Sequence, residues 1–538
     1  MRLDLRSVPG TARLLQDYVH DFSRLAPFFT ADPQDSQAYH EHARKLDRRA
    51  YSRQDLCDLL TAQNAAWGAS ALSHQHIDAL RHPRALAVVT GQQTGLFGGP
   101  LFTLYKALTG VQLALQLQEA LGRPVVPIFW MASEDHDVAE ADHVQLLDAA
   151  GNLVSIRHAS WGSPGFIPAN LVLGPAIQRT LQQVWDLLPP TNFTPELQAA
   201  LAQAYEPGRT LAEAFARWMV FLLGESGLIL VDAADPHLKR LAAPIFQREV
   251  EEAPRSSREI LEQSDALRAL GYAAQIEARP DGVNCFLLQE GRRSLTREAA
   301  GFRLRDGGEL LPAIRLQTLA RERPESLSPN VALRPILQDY LFPTLAYVAG
   351  PGELAYFAQL RPVYQAFDVP MPLIVPRASF TLVDSHAARL LDRYGLSLAG
   401  MFGGTDALRE RIARKLIPPL LGRRLEETAA GTKALAERLC TDLVSFDPTL
   451  AEAMERSRRK ILYQLAKIER KASREMLRRD QRAVEETAYL CQMLYPDKHL
   501  QERFYSILPF LAQHGLGLID TIYENVRLDS LDHQLLPI

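Results

Sequence analysis

Short, nearly continuous apolar runs rich in β-branched residues recur at positions 86–90, 125–130, 227–232, 345–349 and 372–376, each bounded by turn residues. Such runs mark strands buried on both faces of a parallel sheet. Residues 101–121 carry a helical pattern between the first two runs, so the first unit reads strand, loop, helix, strand. An amphipathic helix at 211–225 precedes the third run and another at 354–367 follows the fourth. The chain is therefore expected to be α/β, with a doubly wound parallel sheet.

The stretches between the second and third runs, and between the third and fourth, are much longer than a simple crossover needs. Insertions are expected to fill them. The first, 150–210, mixes Pro, Gly and short apolar segments. The second, 255–330, contains hairpin-like stretches at 285–289 and 294–297. Beyond Arg377 the pattern turns helical, with breaks at Gly395, Gly403-Gly404, Pro418-Pro419, Pro448 and Pro496. The expected division is 1–149 for N-terminal helices and the first half of the core, 150–210 for the first insertion, 211–254 for core, 255–330 for the second insertion, 331–380 for the end of the core, 381–505 for a helical coiled-coil domain and 506–538 for a C-terminal segment.

After Pro448, apolar or small residues at Leu450, Met454, Ser457, Ile461, Leu465, Ile468, Ala472 and Met476 form one seam at 3 and 4 spacings. About 27 residues at 1.5 Å each make a helix of about 40 Å. A seam that long is expected to pair in a coiled coil with the preceding helix, 425–446, or with a second subunit. Arg456, Arg458, Arg459 and Lys460 lie on its polar faces, but no aromatic residues interleave for base stacking, so a solvated face is the expectation over nucleic acid.

Composition narrows the classes. The 538 residues are 47% hydrophobic and 23% charged with a net charge of −4, which is globular and offers no global attraction to nucleic acid or an anionic membrane. No uncharged apolar stretch approaches the length of a membrane span, and the N-terminus lacks the apolar core of a signal peptide. A cytoplasmic protein is expected. Cys57, Cys285, Cys440 and Cys491 have no metal-site or disulfide spacing and are expected to be free, mostly buried thiols.

Successive parallel strands place their following loops on one sheet edge, where open α/β proteins bind small molecules. The first such loop is Thr90-Gly91-Gln92-Gln93-Thr94-Gly95-Leu-Phe-Gly98-Gly99-Pro100. Its glycines permit positive φ or close ligand approach, and the helix behind it offers unpaired N–H groups to an anion. Its spacing matches neither the dinucleotide fingerprint nor a Walker A loop. The second loop gathers Glu134, Asp135, His136 and Asp137, where carboxylates and an imidazole are suited to hold an amine and move protons. A helix from Asp137 onward would also put His136, Glu140 and His143 on one face, yet without a complete zinc signature no metal is assigned. Gly350, Gly352, Glu353 and Tyr356 follow the fourth strand, and Arg377, beyond the fifth, is suited to a carboxylate or phosphate.

Together, Val89-Thr-Gly-Gln-Gln-Thr-Gly-Leu-Phe-Gly-Gly-Pro-Leu101, Phe129-Trp-Met-Ala-Ser-Glu-Asp-His-Asp137, the segment 337–353, Val375-Pro-Arg377 and Gln501-Glu-Arg-Phe-Tyr505 resemble the BshC family, the cysteine-adding enzymes of bacillithiol biosynthesis. The likeness covers essentially the whole chain. It implies a nucleotidyltransferase-type Rossmann-like core with connective insertions, a coiled coil that forms a homodimer, and the last pathway step, in which the carboxyl of L-cysteine joins the amine of glucosaminyl malate. It further implies adenine nucleotide binding, ADP in particular, apart from the active site. ATP is the natural activator of a carboxyl for amide formation. The His-Ile-Gly-His and Lys-Met-Ser-Lys-Ser loops of adenylating relatives do not occur here. Two other readings stay open: a nucleotidyltransferase-like enzyme that activates another small carboxylate, and a non-catalytic coiled-coil scaffold.

Overall fold

A computed structural model of the chain describes residues 2–135, 141–148, 151–158, 167–289, 291–305 and 308–538. It divides into two compact units, Met1–Thr381 with Glu502–Leu536, and Leu382–Gln501 with Pro537–Ile538.

In the first unit all five apolar runs are strands: β1 (Leu86–Gln92), β2 (Val125–Met131), β3 (Ile229–Asp232), β4 (Thr344–Ala349) and β5 (Leu373–Pro376). They form one parallel sheet in the order β5-β4-β1-β2-β3. Both faces are covered. Ala87, Val89, Ile128, Trp130 and Ile374 enter one hydrophobic core, and Leu86, Val88, Val125, Leu373 and Val375 enter the other. The period-2 alternation of side chains thus yields uninterrupted apolar runs, because each face needs its own apolar layer.

Helix α1 (Leu101–Leu121) crosses from β1 to β2 and ends at Gly122, whose left-handed φ of 59° closes it. Helix α2 (Leu211–Leu223) precedes β3 and opens with a capping box between Thr210 and Glu213. After β3 comes the short α3 (Pro236–Leu241). Helix α4 (Leu333–Leu341) precedes β4, and α5 (Pro351–Phe357) follows it. The single helix expected at 354–367 is instead two, with a second segment at Arg361–Ala366. Pro362 has no N–H to donate and fits the first turn of a new helix, which explains the break.

The second insertion holds a five-stranded antiparallel sheet, in which Gly282–Leu288 lies between Leu327–Pro329 and Arg292–Glu298. The two hairpin-like stretches read from sequence are those inner strands. In the first insertion Leu153–Arg157 pairs with His143–Leu147, so its hairpin begins before residue 150.

The second unit is helical. Helices α6 (Pro419–Phe446) and α7 (Pro448–Arg479) turn at Asp447 and pack along each other, with Arg458 paired to Glu437 at 2.9 Å across the hairpin. At 32 residues α7 is about 48 Å long. Leu435, Leu439, Val444, Phe446, Leu450, Ile461 and Ile468 remain exposed on this hairpin.

One buried carboxyl links helix Ala243–Glu252 to the insertion sheet. Glu249 accepts from Ser256 Oγ at 2.8 and 3.0 Å and from the Asn284 N–H at 2.6 Å. Burial pushes its carboxyl from 4.5 up to about 7. A folded-state value above the unfolded one stabilises the fold at low pH, and that stability fades as pH rises from the unfolded toward the folded value. The expected loss between about pH 4.5 and 7 is on the order of 3 kcal/mol. Chemical denaturation of Glu249→Gln across this window should show the pH slope removed.

Candidate active site

The sense in which strands are added reverses between the parallel neighbours β1 and β4. β1 leads through α1 to β2 on one side, while β4 leads to β5 on the other, and this switch leaves a crevice beyond the strand carboxyl ends. A cavity of about 1060 Å³ opens there. Gly91, Gln92, Gln93, Gly95, Glu134, Asp135, Gly350, Gly352, Glu353, Tyr356 and Arg377 all line it. Thr90 does not. Its side chain is fully buried and its Oγ1 donates to the Val348 carbonyl at 2.9 Å, so it ties β1 to β4 and has no part in ligand contact.

The glycines divide by purpose. β1 runs on through Gln92, so Gly91 belongs to the strand, and a Cβ there would lie 2.5 Å from the Trp130 carbonyl oxygen. Gly95 has ordinary φ of −83°, whereas Gly98 and Gly99 take φ of 92° and 71°. Only the last two need the left-handed region.

Beneath this loop lies Lys106 of α1, with its side chain 1% exposed. Its ammonium donates to the Gly91 carbonyl and to Gln92 Oε1 at 3.2 Å, and it pairs with Glu353 Oε2 at 2.6 Å. Glu353 also accepts from the Gly350 N–H and the Tyr347 hydroxyl, each at 2.7 Å. Burial works to raise the Glu353 carboxyl, but Lys106 and these donors hold it below the usual range, so it is a carboxylate. Glu353 is both the helix cap expected from sequence and the counter-ion of a lysine that sequence reasoning missed. A lone Lys inside the apolar run Leu101 to Val111 was the available signal, since such a charge is buried only when paired.

The acidic loop splits in the same way. Glu134 is buried and paired with Lys239 of α3, whose ammonium also donates to the Leu327 carbonyl at 2.9 Å. Burial raises the Glu134 carboxyl against the pull of Lys239. Asp135 is 37% exposed, accepts from Gln93 Nε2 at 2.6 Å and lies 3.6 Å from Arg292 of the insertion sheet. Of the two described carboxylates of this loop it is the more exposed. His136 and Asp137 lie outside the described residues, as does Glu140. His143 begins a strand, not a helix, so the helical metal face expected from sequence loses that member.

Arg377, expected to reach a ligand from the sheet edge, is buried and already paired. It donates to Glu502 Oε1 at 2.7 Å and to the Ala378 carbonyl at 2.8 Å, and packs over the Phe102 ring. Its Nε, buried, has no hydrogen-bond partner among the described residues. Arg334 of α4 adds a cation that sequence reasoning missed, donating to the Tyr356 hydroxyl at 2.7 Å. In all, seven lysine or arginine side chains line the cavity against four carboxylates. Glu353 is paired with Lys106, Glu134 with Lys239 and Arg377 with Glu502, which leaves five arginines against Asp135 and Glu277, so the cavity favours anions. No cysteine lines it among the described residues, and burial pushes the Cys57 thiol up to about 11, away from thiolate chemistry.

Removing one member of a buried ion pair leaves an uncompensated charge and costs about 3–5 kcal/mol. Lys106→Met should therefore lower unfolding free energy by that order in urea titration, and adding Glu353→Gln should recover part of it. A loss in the double variant equal to the sum of the two single losses would show that the pair carries no coupling.

The arrangement agrees with what the chain is similar to. Residues 1–378 match the family described as bacillithiol biosynthesis BshC, N-terminal Rossmann-like domain, and residues 380–538 match its C-terminal coiled-coil domain. A protein of Solibacter usitatus named "Putative cysteine ligase BshC" is 38% identical, with 98% of each chain covered. Proteins of the same name from Salinibacter ruber and Koribacter versatilis are 35% and 36% identical, covering 97% of this chain and 95% and 97% of their own. With both domains matched and the likeness running nearly end to end, the chain belongs to the BshC family.

Proposed function

We propose that this chain is a cysteine ligase that joins the carboxyl of L-cysteine to the amine of glucosaminyl malate, completing bacillithiol in the cytoplasm. The observation that carries this reading is the cavity itself. It lies at the upper end of the range for small-ligand cavities, its lining is net cationic, and one partly exposed carboxylate, Asp135, stands within it. A carboxylate donor, an anionic acceptor and an amine to be deprotonated fit that description.

ATP supplies the activation. The cysteine carboxylate oxygen attacks the α-phosphorus, pyrophosphate leaves, and an acyl-adenylate forms. The acceptor amine then attacks the carbonyl carbon, AMP leaves with the C–O bond electrons, and the amine proton passes to Asp135. Arg377 Nε, Arg334 and the backbone from Gly91 to Gly95 are the groups for phosphate or carboxylate oxygens. Activation of a different small carboxylate is the second reading, and the same cationic lining favours it. Acid-dependent release of pyrophosphate, screened over small acids, separates the two.

The second unit serves as a homodimer contact in this proposal, supported by apolar Leu450, Ile461 and Ile468 exposed along α7.

Two outcomes are expected. In cells lacking the gene, mass spectrometry should show bacillithiol lost and glucosaminyl malate accumulated, with rescue by wild type and not by Asp135→Asn. Purified Asp135→Asn should lose about 10²–10⁴-fold in kcat/KM. Product formed by wild type without any nucleotide would end the adenylate scheme, and unchanged thiol levels would end the ligase reading. For assembly, Ile461→Asp with Ile468→Asp should convert a dimer to a monomer in sedimentation; a monomeric wild type would refute the coiled-coil contact.

A further inference from the structure

The cavity has a second wall that the activation chemistry does not use. It is the inner part of the insertion sheet, where Arg292, Ser294 and Thr296 occupy alternate positions of one strand and so share a face. Phe286 lies directly across from Ser294, and Gly282 across from Thr296, on the neighbouring strand. All five line the cavity. The opposite face of the same strand carries Leu295, which is 2% exposed and enters the hydrophobic core. One face is therefore fixed by packing, while the other presents hydroxyls, a ring and a guanidinium to the cavity.

That combination has a chemical meaning. Hydroxyls on a rigid strand suit the donor and acceptor groups of a polyhydroxylated ring, and a glycine opposite leaves room for a ring to approach the backbone. Arg292 lies over the Phe286 ring, 4.2 Å from its centroid, and donates to the Pro329 carbonyl at 2.6 Å. A guanidinium oriented in this way is preorganised for a carboxylate. Arg305, whose N–H donates to the Ser294 carbonyl, brings a second guanidinium to the same lining.

We infer that this face of the insertion sheet is the acceptor subsite, taking an amino sugar with an acidic substituent, with its hydroxyls on Ser294 and Thr296 and its carboxylate on Arg292. The inference rests on the ligase reading above and divides its cavity in two. Asp135, 3.6 Å from Arg292, stands at the junction, so an acceptor seated on the sheet delivers its amine to Asp135 and faces the donor carboxyl held at the switch between β1 and β4. The insertion thus sets which amine is used, and the core sets how the acid is activated. Arg292 in this role is a specificity-determining residue, since it touches a substituent remote from the bond being made.

The test separates binding from turnover. Calorimetric titration of glucosaminyl malate into the purified full-length protein should give a Kd that rises by about thirtyfold or more in Arg292→Met and severalfold in Ser294→Val. Steady-state assays should place the same effects in KM for the acceptor, with KM for cysteine unchanged. Methyl glucosaminide, which lacks the acidic substituent, should be weakened by Ser294→Val and not by Arg292→Met. Ser294→Val keeps the Asp135–Arg292 pair intact, so it reads the subsite even where Arg292→Met fails to fold. Binding of glucosaminyl malate by wild type that both variants retain would overturn the inference and leave the ligase reading standing. No binding to wild type would overturn both.

Discussion

A single buried ammonium holds the site together. At the switch between β1 and β4 the connections leave in opposite directions along the sheet, and a strand-end carbonyl would otherwise face the α5 carboxylate with no cation between them. Lys106 stands between them, joined to the Gly91 carbonyl on one side and Glu353 on the other. Because it comes from α1, the same contact seats the crossover helix against the sheet. The glycine loop, the capped start of α5 and the spacing of the crevice all follow from that one cation. A buried charge is costly unless paired and hydrogen-bonded, and here the ammonium has three oxygen partners.

The sheet was legible in the sequence because its strands are buried on both faces. Two apolar layers leave continuous runs such as Leu86 to Val89, and such runs need no partner to be read. The paired hairpin strands of the second insertion were legible for a related reason, alternation between a core face and a polar face. The family resemblance added the substrates, which no periodicity contains. What escaped was every contact made by residues far apart in the chain. Arg377 meets Glu502, 125 positions away, and Lys239 meets Glu134. Local pattern fixes which face a side chain takes but not which distant charge awaits it. Lys106 is the partial exception, because a lysine in an apolar helical stretch announces that some carboxylate must be near.

The same pairings decide which acidic groups remain for chemistry. Glu134 and Asp135 are neighbours in sequence and look equivalent there. In the fold one turns inward to Lys239 and serves the framework, and the other turns into the cavity beside Gln93 and Arg292. Glu353 likewise belongs to the framework. Setting the sequestered pairs aside on both sides leaves five arginines against Asp135 and Glu277, a cationic lining within a chain whose net charge is −4. Attraction of anionic substrates is thus a property of this site and not of the whole surface.

The two walls of the cavity come from two different sheets, and buried cations register them. Lys239 joins the acidic loop after β2 to the Leu327 carbonyl of the insertion sheet, and Arg292 reaches back from that sheet toward Asp135. Spreading the walls would strip the buried Lys239 of its partners in a low-dielectric interior, at a cost of several kcal/mol. The margin of the cavity includes Arg279, Arg305 and Val331, all exposed. Two of these three are arginines, so the margin carries the same cationic character as the interior and favours an anionic ligand.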